Sequence, residues 1–106
     1  MERDDVAQAL TAHPRWVWRA GVRIVDGYRL DAADEAHGRV DGVPDLDDPA
    51  TGGVVLGMLA EACRVHPTVT PRVDGGLSVG AMGSDHLGPT LGVAAARALL
   101  AAWGPA

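Results

Sequence analysis

The sequence predicts an α+β fold: a small antiparallel sheet of about four strands with three helices against it, in the order α-β-β-α-β-β-α. Three observations predict it. Residues 49–63 and 89–103 are long apolar stretches rich in Ala, Val and Leu, and each opens on a proline. Two runs of strand-forming residues are broken by Asp26-Gly27 and by Asp74-Gly75-Gly76, which read as hairpin turns. The length of 106 residues fits one domain, residues 1–106, with one core and no second catalytic unit.

Taken in order, residues 3–12 form a short amphipathic helix. Val6, Leu10 and His13 recur at helical spacing, and Glu2, Asp4 and Asp5 stand where the helix dipole favours negative charge. Pro14 ends it, because the residue before a proline is pushed out of helical geometry. Residues 16–30 turn to strand types, with Asp26-Gly27 as a two-residue loop that sets Val25 opposite Tyr28 and Ile24 opposite Arg29. Neither face of that hairpin is cleanly apolar. Residues 31–48, dense in Asp, read as a surface connection with a third short strand around residues 38–40.

The second helix starts with clear punctuation: Asp48 accepts hydrogen bonds from first-turn amides, and Pro49 fits the first helical position. It runs to about Cys63. Residues 68–73 alternate as a strand whose Pro71 marks it as an edge. Leu77, Val79 and Ala81 alternate on the return strand, residues 83–88 read as a loop, and Pro89-Thr90 opens the last helix.

Composition excludes several functions. With 47% hydrophobic and 22% charged residues the chain is a folded globule, and with 4% aromatics and no Phe its core must be built from Ala, Val and Leu. One Cys rules out an internal disulfide framework and a thiolate-rich zinc site. A net charge of −5 opposes sequence-independent binding of long nucleic acid. All nine basic residues are Arg, so lysine Schiff-base chemistry is excluded. The acidic start lacks a signal-peptide pattern, and residues 91–103 fall short of the ~20 needed to span a bilayer. The expected compartment is the cytoplasm.

The stretch His13-Pro14-Arg15-Trp16-Val17-Trp18-Arg19-Ala20-Gly21-Val22-Arg23 resembles the Pro-Arg-Trp-x-Trp-x-x-Gly-x-Arg segment of small phage and prophage proteins. Pro44-Asp45-Leu46-Asp47-Asp48-Pro49-Ala50-Thr51 resembles the helix start of those proteins, and the tail from Gly88 to Ala102 their final helix. The layout is similar to the phage ABA-sandwich domain. This resemblance implies a phage origin and an α/β sandwich, expected in the host bacterial cytosol. It carries over no catalytic residue.

Chemistry is sparse. Asp45, Asp47 and Asp48 lack the central Gly and closing Glu of a calcium loop, so capping and a solvated acidic loop explain them. His13, His37, His66 and His86 show no helical ligand spacing, and no metal or other cofactor is expected. A Cys63–His86–Asp85 triad would have to assemble in space. No phosphate-loop or dinucleotide fingerprint fits the glycines, but Ser84 and His86 lead toward the last helix, whose N-terminus can hold an anion. The most suggestive group is Arg15, Trp16, Trp18, Arg19, Arg23 and Tyr28: aromatic faces for stacking and guanidinium forks for phosphate. In an extended chain Trp16 and Trp18 take one side while Arg15 and Arg19 take the other.

These features favour a non-enzyme. The expected function is that of a phage accessory protein: an oligomeric counter-defence protein, or sponge, that sequesters a nucleotide immune signal. The eight candidate ligand residues are Arg15, Trp16, Trp18, Arg19, Arg23, Tyr28, Ser84 and His86. Self-association is expected through the second and third helices, which carry little polar surface. The alternatives are an interaction module that docks on a host or phage protein, and a small hydrolase using Cys63 or His86.

Overall fold

The computed structural model describes residues 2–105. Four helices, α1 (Glu2–Ala12), α2 (Ala32–His37), α3 (Pro49–Cys63) and α4 (Leu91–Trp103), accompany the strands β1 (Thr68–Pro71), β2 (Leu77–Ala81) and β3 (Ser84–Gly88). The strands form one antiparallel sheet in the order β1-β2-β3. The α+β class is as expected; the element count differs in three places.

Helix α4 is the centre of the fold. It packs against α3, β2, β3 and α1. Its residues Gly92, Val93, Ala94, Ala95 and Ala96 are all buried, as are Ala98 and Leu99. Five consecutive buried positions sweep more than one full turn, so this part of the helix has no solvent face. Small side chains make that possible. A Cβ on Gly52 of α3 would stand 3.0 Å from the Gly92 nitrogen, and one on Gly88 of β3 would stand 2.6 Å from the Ala94 nitrogen. A core with no Phe therefore closes by bringing backbones together rather than by filling space with rings.

Much of the apolar helix surface on which the expectation of self-association rests is covered within one chain. Seven residues of α4, from Gly92 to Leu99 without Arg97, are buried within one chain, while Leu91, Leu100, Ala102 and Trp103 stay half-buried. On α3 the exposed positions include Gly53, Gly57 and Ala62, which offer little apolar area to a partner. The large exposed apolar residues are elsewhere: Val17, Tyr28, Val65, Val69, Val73, Met82 and Leu87.

The register places Val69, Val79 and His86 on one face of the sheet, and Thr70, Ser78 and Leu87 on the other. Val79 is fully buried, so its face is the one toward α4. β1 is exposed along its length, and Pro71 removes a donor from that edge, as its sequence predicts.

Three expectations are corrected. Residues 83–88 are not a loop: Met82 (φ 53°) and Gly83 (φ 79°) make a two-residue hairpin turn, and Ser84–Gly88 returns as β3. The polar residues Ser84 and Asp85 hide this strand from a hydrophobicity pattern. Residues 31–48 contain α2, opened by an Asp31/Asp34 capping box and closed by Gly38 in the left-handed conformation. The predicted strand at residues 38–40 is absent there; Pro44 instead bridges Ile24.

The hairpin at residues 16–30 is reduced to isolated bridges, with Arg23 opposite Arg29 rather than Ile24. The Ile24 N–H donates to Tyr28 O, so the loop holds three residues, with Asp26 at φ 56°. The side of the segment away from this turn is stitched to other parts of the chain. Val25 N–H donates to Val43 O, and Arg23 N–H to the Thr51 hydroxyl of α3. Val22, Ile24 and Leu30 form a second small core here, joined by Trp18, Val40 and Val54.

Candidate functional site

After α1 ends, the chain runs extended beside the C-terminal half of α3. His13 sets its direction: its Nδ1 accepts from the Arg15 N–H at 3.1 Å, which leaves Nε2 to donate to Gly104 O at 3.0 Å. Alternation then separates the side chains as expected. Arg15, Val17 and Arg19 face a cleft of about 260 Å³ completed by Met58, Glu61 and Ala62 of α3 and Trp103 of α4.

Trp16 and Trp18 turn to the other side. Their rings meet edge-on, with centroids 5.2 Å apart and planes at 85°. Trp16 packs on the main core and Trp18 on the second, so the pair wedges between them. Both therefore act as packing, apart from the arginines they were grouped with. The aromatic that shares the arginine cleft is Trp103. Sequence reading missed it because it sits at the end of an apolar helix some ninety residues away, and only the docking of α4 on α1 brings it there.

The cleft is cationic but partly neutralised. Both terminal nitrogens of Arg19 donate to Glu61, at 2.7 and 3.4 Å. Its third donor, Nε, is buried with no hydrogen-bond partner among the described residues. A buried guanidinium N–H without an acceptor is costly, and an oxyanion is the group that relieves it.

The remaining candidates lie apart. Arg23 and Tyr28 are exposed on the ribbon at residues 22–30. Ser84 and His86 line a cavity of about 240 Å³ with Cys63, Met82 and Ala98, Ala101 and Ala102 of the last two turns of α4. They therefore stand at the opposite end of α4 from its N-terminus, which corrects the expected anion loop. That N-terminus is capped by Thr90, whose hydroxyl accepts from Val93 N–H and donates to Leu46 O. The Cys63–His86–Asp85 arrangement is also corrected. Adjacent residues of a strand point to opposite faces, and Asp85 lines a different cleft with His66 and Thr68.

The acidic loop is spent on local structure. Asp48 accepts from the Thr51 N–H and hydroxyl, both at 2.9 Å, and from both terminal nitrogens of Arg29 at 2.8 and 3.0 Å. The Arg29 guanidinium, with help from the Thr51 donors, holds the Asp48 carboxyl far below the usual carboxylate range. Asp47 pairs with Arg3, and Asp45 accepts from the Asp47 N–H. Among the described residues, no group of three or more His, Cys, Asp or Glu side chains is placed to hold a metal ion. Nor is any helix among them long and apolar enough to cross a membrane.

Comparison with known proteins finds no matching family, no matching curated protein and no matching solved structure.

Proposed function

We propose that this chain is a non-enzymatic binding protein whose Arg15–Arg19–Trp103 cleft takes a small nucleotide. The observation that carries the reading is that Arg19, whose Nε is buried and unpartnered among the described residues, lines a cleft that also holds Arg15 and an indole. A phosphate is held by the Arg15 and Arg19 guanidinium groups, the latter turning to present its unpartnered Nε–H; the base lies against Trp103. At about 260 Å³ the cleft is small beside typical ligand pockets, which suits a mononucleotide or one half of a cyclic dinucleotide. The cleft is built within one chain, so binding does not require an oligomer. The setting, a phage counter-defence protein that sequesters a nucleotide immune signal, rests on the sequence resemblance alone.

The test is a melting-temperature screen against linear and cyclic nucleotides. A ligand bound only by the folded state raises the midpoint by several degrees when present well above its dissociation constant. Arg19→Gln abolishes that rise and Arg15→Gln weakens it. A panel with no response removes the nucleotide assignment and favours the interaction-module reading.

A further inference from the structure

Sheet and helix do not stay equally close along their length. At the Gly88 end of β3 they meet backbone to backbone, since a Cβ on Gly88 would stand 2.6 Å from the Ala94 nitrogen. Toward Ser84 they part around the cavity of about 240 Å³. Ala81, Ser84 and His86 line it from the sheet, and Ala98, Ala101 and Ala102 line it from α4. Small side chains leave this wedge open, because a methyl group does not reach across a gap that a leucine would fill. The wedge shares no residue with the proposed nucleotide cleft.

Its lining is chemically distinct from that cleft. Among the described residues no guanidinium and no carboxylate lines it, so nothing there repays the desolvation of a charged ligand. Two side chains offer strong hydrogen bonds, the Ser84 hydroxyl at the exposed rim and the half-buried His86 imidazole. His86 pairs with Val79, which is fully buried on the face toward α4, so the imidazole is carried toward the helix. Its ring makes no hydrogen bond or ion pair among the described residues.

Two sulfur atoms complete the lining, the Cys63 thiol at the end of α3 and the Met82 thioether at the β2–β3 turn. Sulfur packs favourably against the edge of an aromatic ring, and the unbranched Met82 side chain, 72% exposed, is free to fold onto one. Size sets the limit. A dry cavity of about 150 Å³ is enough for benzene, so this wedge takes a single ring with a short substituent.

We infer that this wedge is a second ligand site, for an uncharged aromatic molecule of phenol size whose hydroxyl bonds the His86 imidazole. The ring lies among the alanine methyl groups with its edge toward the two sulfurs. The inference does not rest on the nucleotide reading.

The test is a titration of the isotopically labelled full chain with phenol, followed through the backbone amide signals of Ser84 and His86. Three further probes each change one property: benzene lacks the hydroxyl, cyclohexanol lacks the π-system, and benzoate carries a charge. The expected result is saturable movement with phenol at a dissociation constant of about 1 mM. Benzene binds about fivefold more weakly, for want of one hydrogen bond. Cyclohexanol is weaker than phenol by about threefold, and benzoate by about tenfold or more. Ala101→Leu, at an exposed helix position, fills the wedge without unfolding the chain and abolishes binding. His86→Leu makes phenol and benzene bind alike. Movement that does not saturate, or that survives intact in Ala101→Leu, overturns the site. An unchanged preference for phenol over benzene in His86→Leu overturns the bond to His86. Benzoate binding as tightly as phenol overturns the assignment to an uncharged ligand, and equal affinity for cyclohexanol the assignment to an aromatic one.

Discussion

The imidazole of His13 lies against the indole of Trp103, ring centroids 4.8 Å apart and planes inclined by 30°. His13 is 7% exposed, and both its ring nitrogens are engaged, one by the Arg15 N–H and the other by Gly104 O. One side chain therefore ties the end of α1 to the end of α4 and sets the two walls of the arginine cleft. His13→Ala removes a buried ring and leaves two backbone groups without partners. It is expected to cost about 2–3 kcal/mol in urea unfolding. His13→Phe keeps the ring contact and loses only the hydrogen bonds, so it should fall between the two. If His13→Ala unfolds at the wild-type midpoint, the staple is not what holds these ends.

Glu61 offers a test of the cleft's electrostatics that spares the arginines. Its carboxylate occupies both terminal nitrogens of Arg19 and is well exposed. An exposed ion pair contributes little to stability, so Glu61→Gln should change the unfolding free energy by no more than about 0.5 kcal/mol. It should also strengthen nucleotide binding by about fivefold or more, since a ligand phosphate no longer competes with a carboxylate for the Arg19 fork. Calorimetric titration reads the change. Weaker binding in the variant would mean that Glu61 positions Arg19 rather than competing for it.

Much of the C-terminal half was legible because its signals are local. Asp48 and Pro49 announce α3, Pro71 marks an edge strand, and Asp74-Gly75-Gly76 turns the chain where expected. The misses have a common cause. Met82 adopts a left-handed angle usually left to Asn, Asp or Gly, so the β2–β3 turn carries no familiar signature. The segment at residues 16–30 keeps hydrogen bonds across itself, from Gly21 to Leu30, Leu30 to Val22 and Ile24 to Tyr28, but its other side bonds to residues 43–45 and to Thr51, contacts that no local pattern encodes. For the site, alternation correctly separated Arg15 and Arg19 from the two Trp residues, but the place of Trp103 depends on where α4 docks.

Glycine substitutions test the close packing around α4. A Cβ on Gly92 would come within 2.8 Å of the Leu46 carbonyl carbon and 2.9 Å of its Cα, both backbone atoms that cannot step aside alone. Gly92→Ala should destabilise by about 3 kcal/mol, a melting-point drop of more than about 10 °C in a domain this size. Gly57, in the middle of α3, has open space at the same position. Gly57→Ala should stabilise by about 0.5–1 kcal/mol through helix propensity and a less flexible unfolded chain. If both variants lose stability equally, backbone closeness is not what the glycines of this core provide.

Asp48 links the fold to pH. Its carboxylate caps α3 and anchors Arg29, and its side chain is only 10% exposed. Because the folded protein holds this carboxyl below its ordinary range, the unfolded chain binds the proton first as acid is added. The stability it contributes is therefore complete above about pH 5 and declines as the pH falls below about 4 toward the depressed folded value. Asp48→Asn can still cap the helix but cannot pair with Arg29 as an anion, so it should be less stable than wild type by about 1 kcal/mol at neutral pH. That gap should narrow steadily below about pH 4 as wild type loses the same charge. Urea midpoints of the two proteins between about pH 3 and 7 measure it. A gap that is constant across that range would place the acid sensitivity of the fold on other carboxylates, with Asp31 and Asp74, both also held low by turn and cap hydrogen bonds, next in line.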